Sequence, residues 1–349
     1  ANFVDSVFVG EAEEVWPQVI KDFEEGKLKK VYQGGLPPLS LMKKVYPNRE
    51  LMKKKYNYKF SSIVTTKGCP NYCDFCSVPT FQGRKFRERP YEDVLDEMAA
   101  TDYTGLMLAE DNFYGHGKKS NERARDLFKG MVERGIHKDW LGFTALNISQ
   151  DPETLDYMAK SGNFGMLVGI ESTNETVLKK MNKQVNLKLG TDSYFDCIQK
   201  IHNAGLVVWG SVVFGADGDD KDSFKRMTDF ILENNIDILT FGINCPFPKT
   251  QLYARLDSEK RIFRKNYPED WQYYDTAHVV HRFVDMTLED FIEGMQYIYD
   301  HIYAGDNLRT RFRNSIKTTK NPRNSMFAFR VGSDWKQVFE QVLQNLKEL

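Results

Sequence analysis

The sequence predicts an α/β protein built on a parallel sheet of six strands. Two observations carry this: six short runs rich in Val, Ile, Leu and Phe, and amphipathic helical stretches between them. Runs this short and apolar suit strands covered on both faces, and intervening helices return the chain to the sheet by right-handed crossovers. Periodicity leaves two closures open, a flat doubly wound sheet or a barrel.

The strand candidates are Ser61–Lys67, Gly105–Glu110, Leu141–Leu146, Phe164–Glu171, Leu206–Phe214 and Asp237–Asn244. The helical stretches place apolar groups on one face: Val94, Leu95 and Met98; Ala124, Leu127, Phe128, Met131 and Val132; Tyr194, Phe195, Ile198 and Ile201; Phe224, Met227, Phe230 and Ile231. Gly68 and Pro70 end the first strand. Pro90, with Tyr91, Glu92 and Asp93 behind it, opens a helix with acids in its first turn. Asp151-Pro152-Glu153 opens another, and Gly205 caps a helix before the fifth strand.

Two flanks frame this core. Residues 1–60 begin with a strand-like run from Phe3 to Val9 and a helical run holding Val15, Val19, Ile20 and Phe23. The Lys-rich stretch from Lys27 to Lys59 reads as a solvated linker rather than a contact for an anionic surface. Beyond Thr250 come polar, aromatic-rich loops and two amphipathic helices. One runs through Leu288, Phe291, Ile292, Met295, Tyr299 and Ile302, the other through Trp335, Val338, Phe339, Val342 and Leu346.

Composition narrows the class. Lys plus Arg is 48 against 49 for Asp plus Glu, and a net charge of −1 gives no reason to expect nucleic acid. No run approaches the roughly 20 apolar residues of a membrane span, and Ala1–Gly10 lacks the pattern of a secretory signal, so the cytoplasm is expected. Five cysteines, three of them within eight positions, point to metal in a reducing compartment rather than a disulfide scaffold. Cys197 and Cys245, in apolar-periodic segments, read as buried, inert thiols.

The informative string is Thr66-Lys67-Gly68-Cys69-Pro70-Asn71-Tyr72-Cys73-Asp74-Phe75-Cys76. It falls just after the first strand, where α/β folds place their sites. Thiolates are the ligands of iron–sulfur clusters, and three without a fourth leave one iron open for reactivity. A structural zinc site needs a second Cys or His pair, and none stands ready. A redox pair at Cys73 and Cys76 leaves Cys69 unexplained.

The CxxxCxxC spacing with Phe75 before the last cysteine resembles the signature of the radical S-adenosylmethionine (SAM) superfamily. Further matches follow in order: Leu108-Ala109-Glu110-Asp111-Asn112-Phe113, Val168-Gly169-Ile170-Glu171-Ser172, Phe214-Gly215-Ala216-Asp217-Gly218-Asp219 and Pro246-Phe247-Pro248-Lys249-Thr250. The series is similar to the branch with an N-terminal cobalamin-binding domain, which includes methylases and enzymes of hopanoid and tetrapyrrole metabolism. Gly10-Glu11-Ala12-Glu13-Glu14 resembles the end of that domain, and Asp270-Trp271 with His278-Val279-Val280 resembles the C-terminal extension.

The resemblance implies a partial (β/α)6 TIM-like barrel of parallel strands with α-helical N- and C-terminal flanks. Residues 1–58 would be a remnant of the cobalamin-binding domain plus linker, 59–255 the core barrel, and 256–349 a mainly helical extension. It implies a 4Fe–4S cluster on Cys69, Cys73 and Cys76, and reductive cleavage of SAM to a 5′-deoxyadenosyl radical. Phe75 would lie beside the adenine, and Glu171 with Ser172 would receive the SAM ammonium or ribose. Glu110, Asp111 and Asn112 stand where relatives contact SAM or substrate, and Ser211 would reach the SAM carboxylate or remain an interior hydroxyl. Arg87 and Arg89 are expected to be solvated or paired.

Residues 1–25 are too few for a cobalamin domain, and none of the six histidines sits in an Asp-x-His-x-x-Gly pattern. The chain is thus expected to be a fragment starting near that domain's end, or to have lost it, with cobalamin used, if at all, by the full-length protein. The implied partners are a small-molecule substrate and an electron donor such as flavodoxin or ferredoxin. The implied reaction is methylation or rearrangement of an unactivated carbon in a lipid-like, tetrapyrrole or other small molecule. Cobalamin-independent cyclisation or coupling is the alternative, and a non-catalytic iron–sulfur or zinc-binding module is the alternative of another class.

Overall fold

The structure, a computed structural model, describes residues 4–42, 46–56 and 58–347, the side chain of Met42 excepted. In chain order the elements are β1 (Val7–Val9), α1 (Trp16–Glu24), β2 (Val31–Gln33), α2 (Arg49–Tyr56), β3 (Phe60–Ile63), β4 (Thr66–Lys67), α3 (Val78–Gln82), β5 (Arg87–Glu88), α4 (Tyr91–Ala100) and β6 (Gly105–Leu108). Then come α5 (Lys118–Glu133), β7 (Asp139–Thr144), α6 (Pro152–Lys160), β8 (Asn163–Glu171), α7 (Glu175–Lys180), α8 (Gln184–Leu189), α9 (Tyr194–Asn203), β9 (Val207–Phe214), α10 (Ser223–Glu233) and β10 (Ile238–Ile243). The chain closes with α11 (Gln251–Ser258), α12 (Leu288–Ile302), α13 (Asn307–Thr319) and α14 (Pro322–Lys347).

The six-stranded sheet has the order β10-β9-β8-β7-β6-β3, with every pair parallel. Neighbours in space are neighbours in sequence. A doubly wound sheet reverses its order at a switch point, whereas a barrel winds one way. The order therefore decides the question that periodicity left open, in favour of a partial barrel open between β3 and β10.

Side chains alternate across each strand. In β9, Val208, Val212 and Phe214 are buried under helices, whereas Trp209, Ser211 and Val213 point the other way and are only half-buried. In β8, Met166, Val168 and Ile170 form the covered face, and Leu167, Gly169 and Glu171 look inward. The covered face meets α4, α5, α9, α10 and α12 in one continuous core, in which Phe214 stacks on Phe224 at 5.0 Å and Phe291 meets Phe224 edge-on at 5.5 Å.

The structure departs from several expectations. The first strand is shorter than Ser61–Lys67: β3 stops at Ile63, and β4 turns away to pair antiparallel with β5. The Lys-rich stretch contains a helix, α2, none of whose residues is buried. Of the two states expected for Arg87 and Arg89, solvated or paired, the structure shows the second. Arg89 is buried against Asp93 and Glu97, each at 2.6 Å, and Arg87 against Glu11. Helix α13 was not anticipated; its Arg311 donates to the carbonyl of Ile236 at 2.5 Å. Phe3 lies outside the described residues; among the described residues, no helix is long and apolar enough to cross a membrane.

Candidate functional site

The cysteine loop is an excursion clamped at its base. The β4–β5 pair closes it, Cys69 N–H donates to the Gly83 carbonyl at 3.3 Å, and Gly68 N–H donates to Gln82 Oε1 at 2.9 Å. Gly68 has φ of +84°, and a Cβ there would stand 2.4 Å from the Lys85 carbonyl oxygen, so only glycine fits. The far side of the loop is tied to the barrel. Asp74 N–H donates to Met181 O at 3.0 Å, and Leu252 N–H donates to Asp74 O at 2.9 Å. The Asp74 carboxylate lies 3.4 Å from Arg255, which with Arg261 holds Asp217 in a half-buried charge cluster.

Cys69, Cys73 and Cys76 line one cavity of about 420 Å³ at the C-terminal ends of the strands. Its other walls are the inward positions of successive strands, Met107, Phe143, Leu167, Gly169 and Ser211 among them. An adjoining cavity of about 320 Å³ shares Phe75, Cys76, Glu171 and Ser211, and reaches Cys245 beyond β10. Burial raises all three loop thiols, Cys73 to about 11, while the cation of Lys183 works against that rise.

Lys183 is the residue that the sequence did not disclose. Its Nζ lies 2.5 Å from Glu171 Oε1, and 5.9 Å from the centre of the Phe75 ring. Glu171 ends β8 with φ of +60°, next to a register shift in its pairing with β9. A non-glycine residue in the left-handed region costs roughly 1–3 kcal/mol and persists where surroundings impose it. Gly169 makes the room, because a Cβ there would meet Glu171 Oε1 at 2.5 Å and Lys183 Nζ at 2.8 Å.

Phe75, Glu110, Asp111, Asn112, Glu171 and Ser211 are all brought to the cavity with the three cysteines. Glu110 is buried, and accepts hydrogen bonds from Thr65 N at 3.3 Å and Thr65 Oγ1 at 3.1 Å; burial pushes it up to about 7. Asp111 is exposed at the mouth. Ser172 is not among the lining residues. Its hydroxyl accepts the Asn174 N–H at 3.1 Å, just beyond the end of β8.

The donor set fits an iron–sulfur cluster. Among the described residues, no three His, Cys, Asp or Glu side chains converge on a single-ion position. The three thiols line one shared cavity, and cysteine thiolates are the ligands of iron–sulfur clusters. Lys183, half-buried beside them, supplies positive charge to offset thiolates.

Comparison with known proteins places these residues in a wider group. A profile of the radical SAM superfamily matches residues 63–231. Bacteriochlorophyllide d C-12(1)-methyltransferase of Chlorobaculum tepidum is 31% identical over 318 residues, covering 88% of this chain and 66% of that protein. Hopanoid C-2 methylase of Rhodopseudomonas palustris is 28% identical over 209 residues, covering 59% and 39%. The radical SAM methyltransferase TsrM of Kitasatospora setae, with cobalamin and a [4Fe–4S] cluster bound, shares the fold at a TM-score of 0.57 and 16% identity, over 83% of this chain and 61% of that one. The cobalamin-dependent radical enzyme OxsB with aqua-cobalamin shares it at 0.66 and 14%, over 96% and 55%. The chain thus spans only part of each relative.

Proposed function

Because this chain belongs to the radical SAM superfamily, we propose that it is the catalytic portion of an enzyme that methylates an unactivated carbon of a small, tetrapyrrole or lipid-like molecule. The observation that carries this reading is the meeting of Cys69, Cys73 and Cys76 with Glu171 and Lys183 in one cavity at the barrel mouth. A 4Fe–4S cluster and SAM, when bound there, supply one-electron cleavage of a C–S bond and a route to hydrogen abstraction from unactivated carbon.

The chain's own residues prepare that site. The three thiolates would hold the irons. Glu171 would accept the SAM ammonium or ribose hydroxyls, and Lys183, bonded to Glu171 at 2.5 Å, would balance the negative charge of cluster and carboxylate. Phe75 offers an apolar surface to the adenine, and Ser211 a hydroxyl donor to the SAM carboxylate. Asp111 and Asn112 face substrate or SAM from the far wall, while Glu110, fixed by Thr65, shapes that wall. Met107, Phe143 and Leu167 keep water from the reacting atoms.

Residues 1–58 are proposed to belong with a cobalamin-binding domain, 59–255 to form the catalytic barrel and 256–349 its helical extension. The described N-terminal residues form one β1–α1–β2 repeat, which does not by itself fit a corrin ring. The electron donor is proposed to be a flavodoxin or ferredoxin in a reducing cytoplasm, a setting that matches five unpaired cysteines.

Product analysis after anaerobic reconstitution tests the reaction. Methylation predicts S-adenosylhomocysteine and a methylated product from the protein extended upstream. A product rearranged or coupled without a methyl gain would replace methylation with the other radical chemistry.

A further inference from the structure

Charge is unevenly distributed along this chain. From Asn307 to Ser333 there are seven Lys or Arg residues and no Asp or Glu, in a sequence whose net charge is −1. Helix α13 and the first half of α14 cover that stretch. Arg309, Arg313, Lys317 and Lys320 recur at intervals of four, four and three, which sets them in one row along α13 and its last turn. All four are exposed. The other side of the helix buries Ser315 and Thr319 and sends Arg311 to the Ile236 carbonyl.

Unpaired cations are common on this surface; what sets α13 apart is their alignment in a helix without an acid. Helices α5, α6, α7 and α10 each pair a lysine with an acid one turn away. The other basic helix, α2, pairs Lys53 with Asp102 and Lys54 with Glu50. In the α13 row Arg309 meets Asp306 at 3.0 Å, while Arg313, Lys317 and Lys320 form no ion pair among the described residues. Phe312 and Ile316, half-buried, flank the row.

The row lies at the end of the barrel away from the cysteines. Arg311 binds the carbonyl of Ile236 just before β10, Asn321 that of Gly205 before β9 at 3.1 Å, and Asn324 that of Asn163 at the start of β8 at 3.3 Å. Lysine is depleted from protein–protein interfaces, and single-stranded nucleic acid is held by exposed aromatic platforms, which the row lacks. An anionic bilayer asks only for cations at headgroup height with apolar groups among them.

We infer that the α13 face formed by Arg309, Arg313, Lys317 and Lys320 holds the protein on an anionic lipid surface. The chain lies on the bilayer rather than spanning it, and the cysteine cavity, at the opposite ends of the strands, stays open to the aqueous side. This stands on charge and topology and does not depend on the reaction proposed above.

Co-sedimentation of the whole chain with vesicles tests it, using phosphatidylcholine alone or with about one-third phosphatidylglycerol. The variants are Arg313→Gln/Lys317→Gln/Lys320→Gln and, as a control on α5, Lys118→Gln/Lys119→Gln/Lys129→Gln. The wild type is expected to bind the anionic vesicles at low salt, to leave them as salt rises, and to ignore phosphatidylcholine alone. The α13 variant should bind about thirtyfold or more weakly, and the control within about twofold of wild type. Arg313→Lys/Lys317→Arg/Lys320→Arg should bind like the wild type, because charge is what the surface reads. Equal losses in the two Gln variants would mean that net charge alone is read. Undiminished binding by the α13 variant would give the lipid contact to the exposed apolar residues of the N-terminal unit. Either result overturns the inference, as does a wild type that ignores anionic vesicles, whether or not it retains single-stranded RNA.

Discussion

Two parallel β–α–β units in this chain stand in opposite circumstances. In β8–α9–β9 the helix buries Cys197, Ile198 and Ile201 against a sheet that continues on both sides. In β1–α1–β2 the two strands pair only with each other, and the apolar residues face solvent: Val9 is 47% exposed, Trp16 51%, Phe23 66% and Val31 45%. Both helices are amphipathic. Local pattern makes the unit, but only a packing partner gives its apolar face a place to go. Parallel sheets occur almost only with both faces covered, so the exposed unit supports the proposal that residues 1–58 belong with a further domain.

The contrast is sharpest for one residue type. Phe291, wholly buried between Phe224 and Phe283, should cost about 3–5 kcal/mol on change to Ala. Denaturant melts of the apo-protein measure it. A loss below about 1 kcal/mol would mean that the barrel core is as loosely held as the N-terminal unit.

Asp217 should come next. Arg261 and Arg255 hold its carboxyl at about 2, against an ordinary 3.8, so its charged form stabilises the fold. A lowered carboxylate contributes fully above its unfolded value and loses that contribution as pH falls through the folded one. Asp217→Asn should therefore cost about 2 kcal/mol at neutral pH, and remove part of the stability loss between about pH 4 and 2. An unchanged acid limb would place the charge cluster behind the cysteine loop among the inert ion pairs.

Lys183→Met should cost the apo-protein about 1–2 kcal/mol by leaving Glu171 without its partner. Adding Glu171→Gln should return part of it, which a double-mutant cycle reads directly. Strictly additive losses would show that the pair is not coupled. Phe23→Ser should move stability by no more than about 0.5 kcal/mol, despite deleting a whole aromatic ring. A large loss there would show that α1 is already part of the folded core.

The same contrast explains what the sequence disclosed. The six barrel strands were legible because strands covered on both faces are written in continuous apolar runs, Phe164–Glu171 and Leu206–Phe214 above all. The cysteines were legible because their chemistry is local. Helix α13 was not, since Asn-Leu-Arg-Thr-Arg-Phe-Arg carries little apolar pattern, and its placement comes from Arg311 on the Ile236 carbonyl and Phe312 against Phe329. Lys183 was not either. It lies twelve positions from Glu171, in an unremarkable Asn-Lys-Gln string. Only the bulge at Glu171, the turn after α7 and the space left by Gly169 bring the two together.

The central claim is that Cys69, Cys73 and Cys76 hold a cluster that cleaves SAM. The direct measurement is 5′-deoxyadenosine formed by the anaerobically reconstituted chain with dithionite and SAM, alongside its iron and sulfide content. The account predicts about four irons and four sulfides per chain, and 5′-deoxyadenosine that disappears with the cluster in the Cys→Ala variants at all three positions. Stoichiometric zinc with no cluster, or product formation that survives loss of all three cysteines, would contradict it.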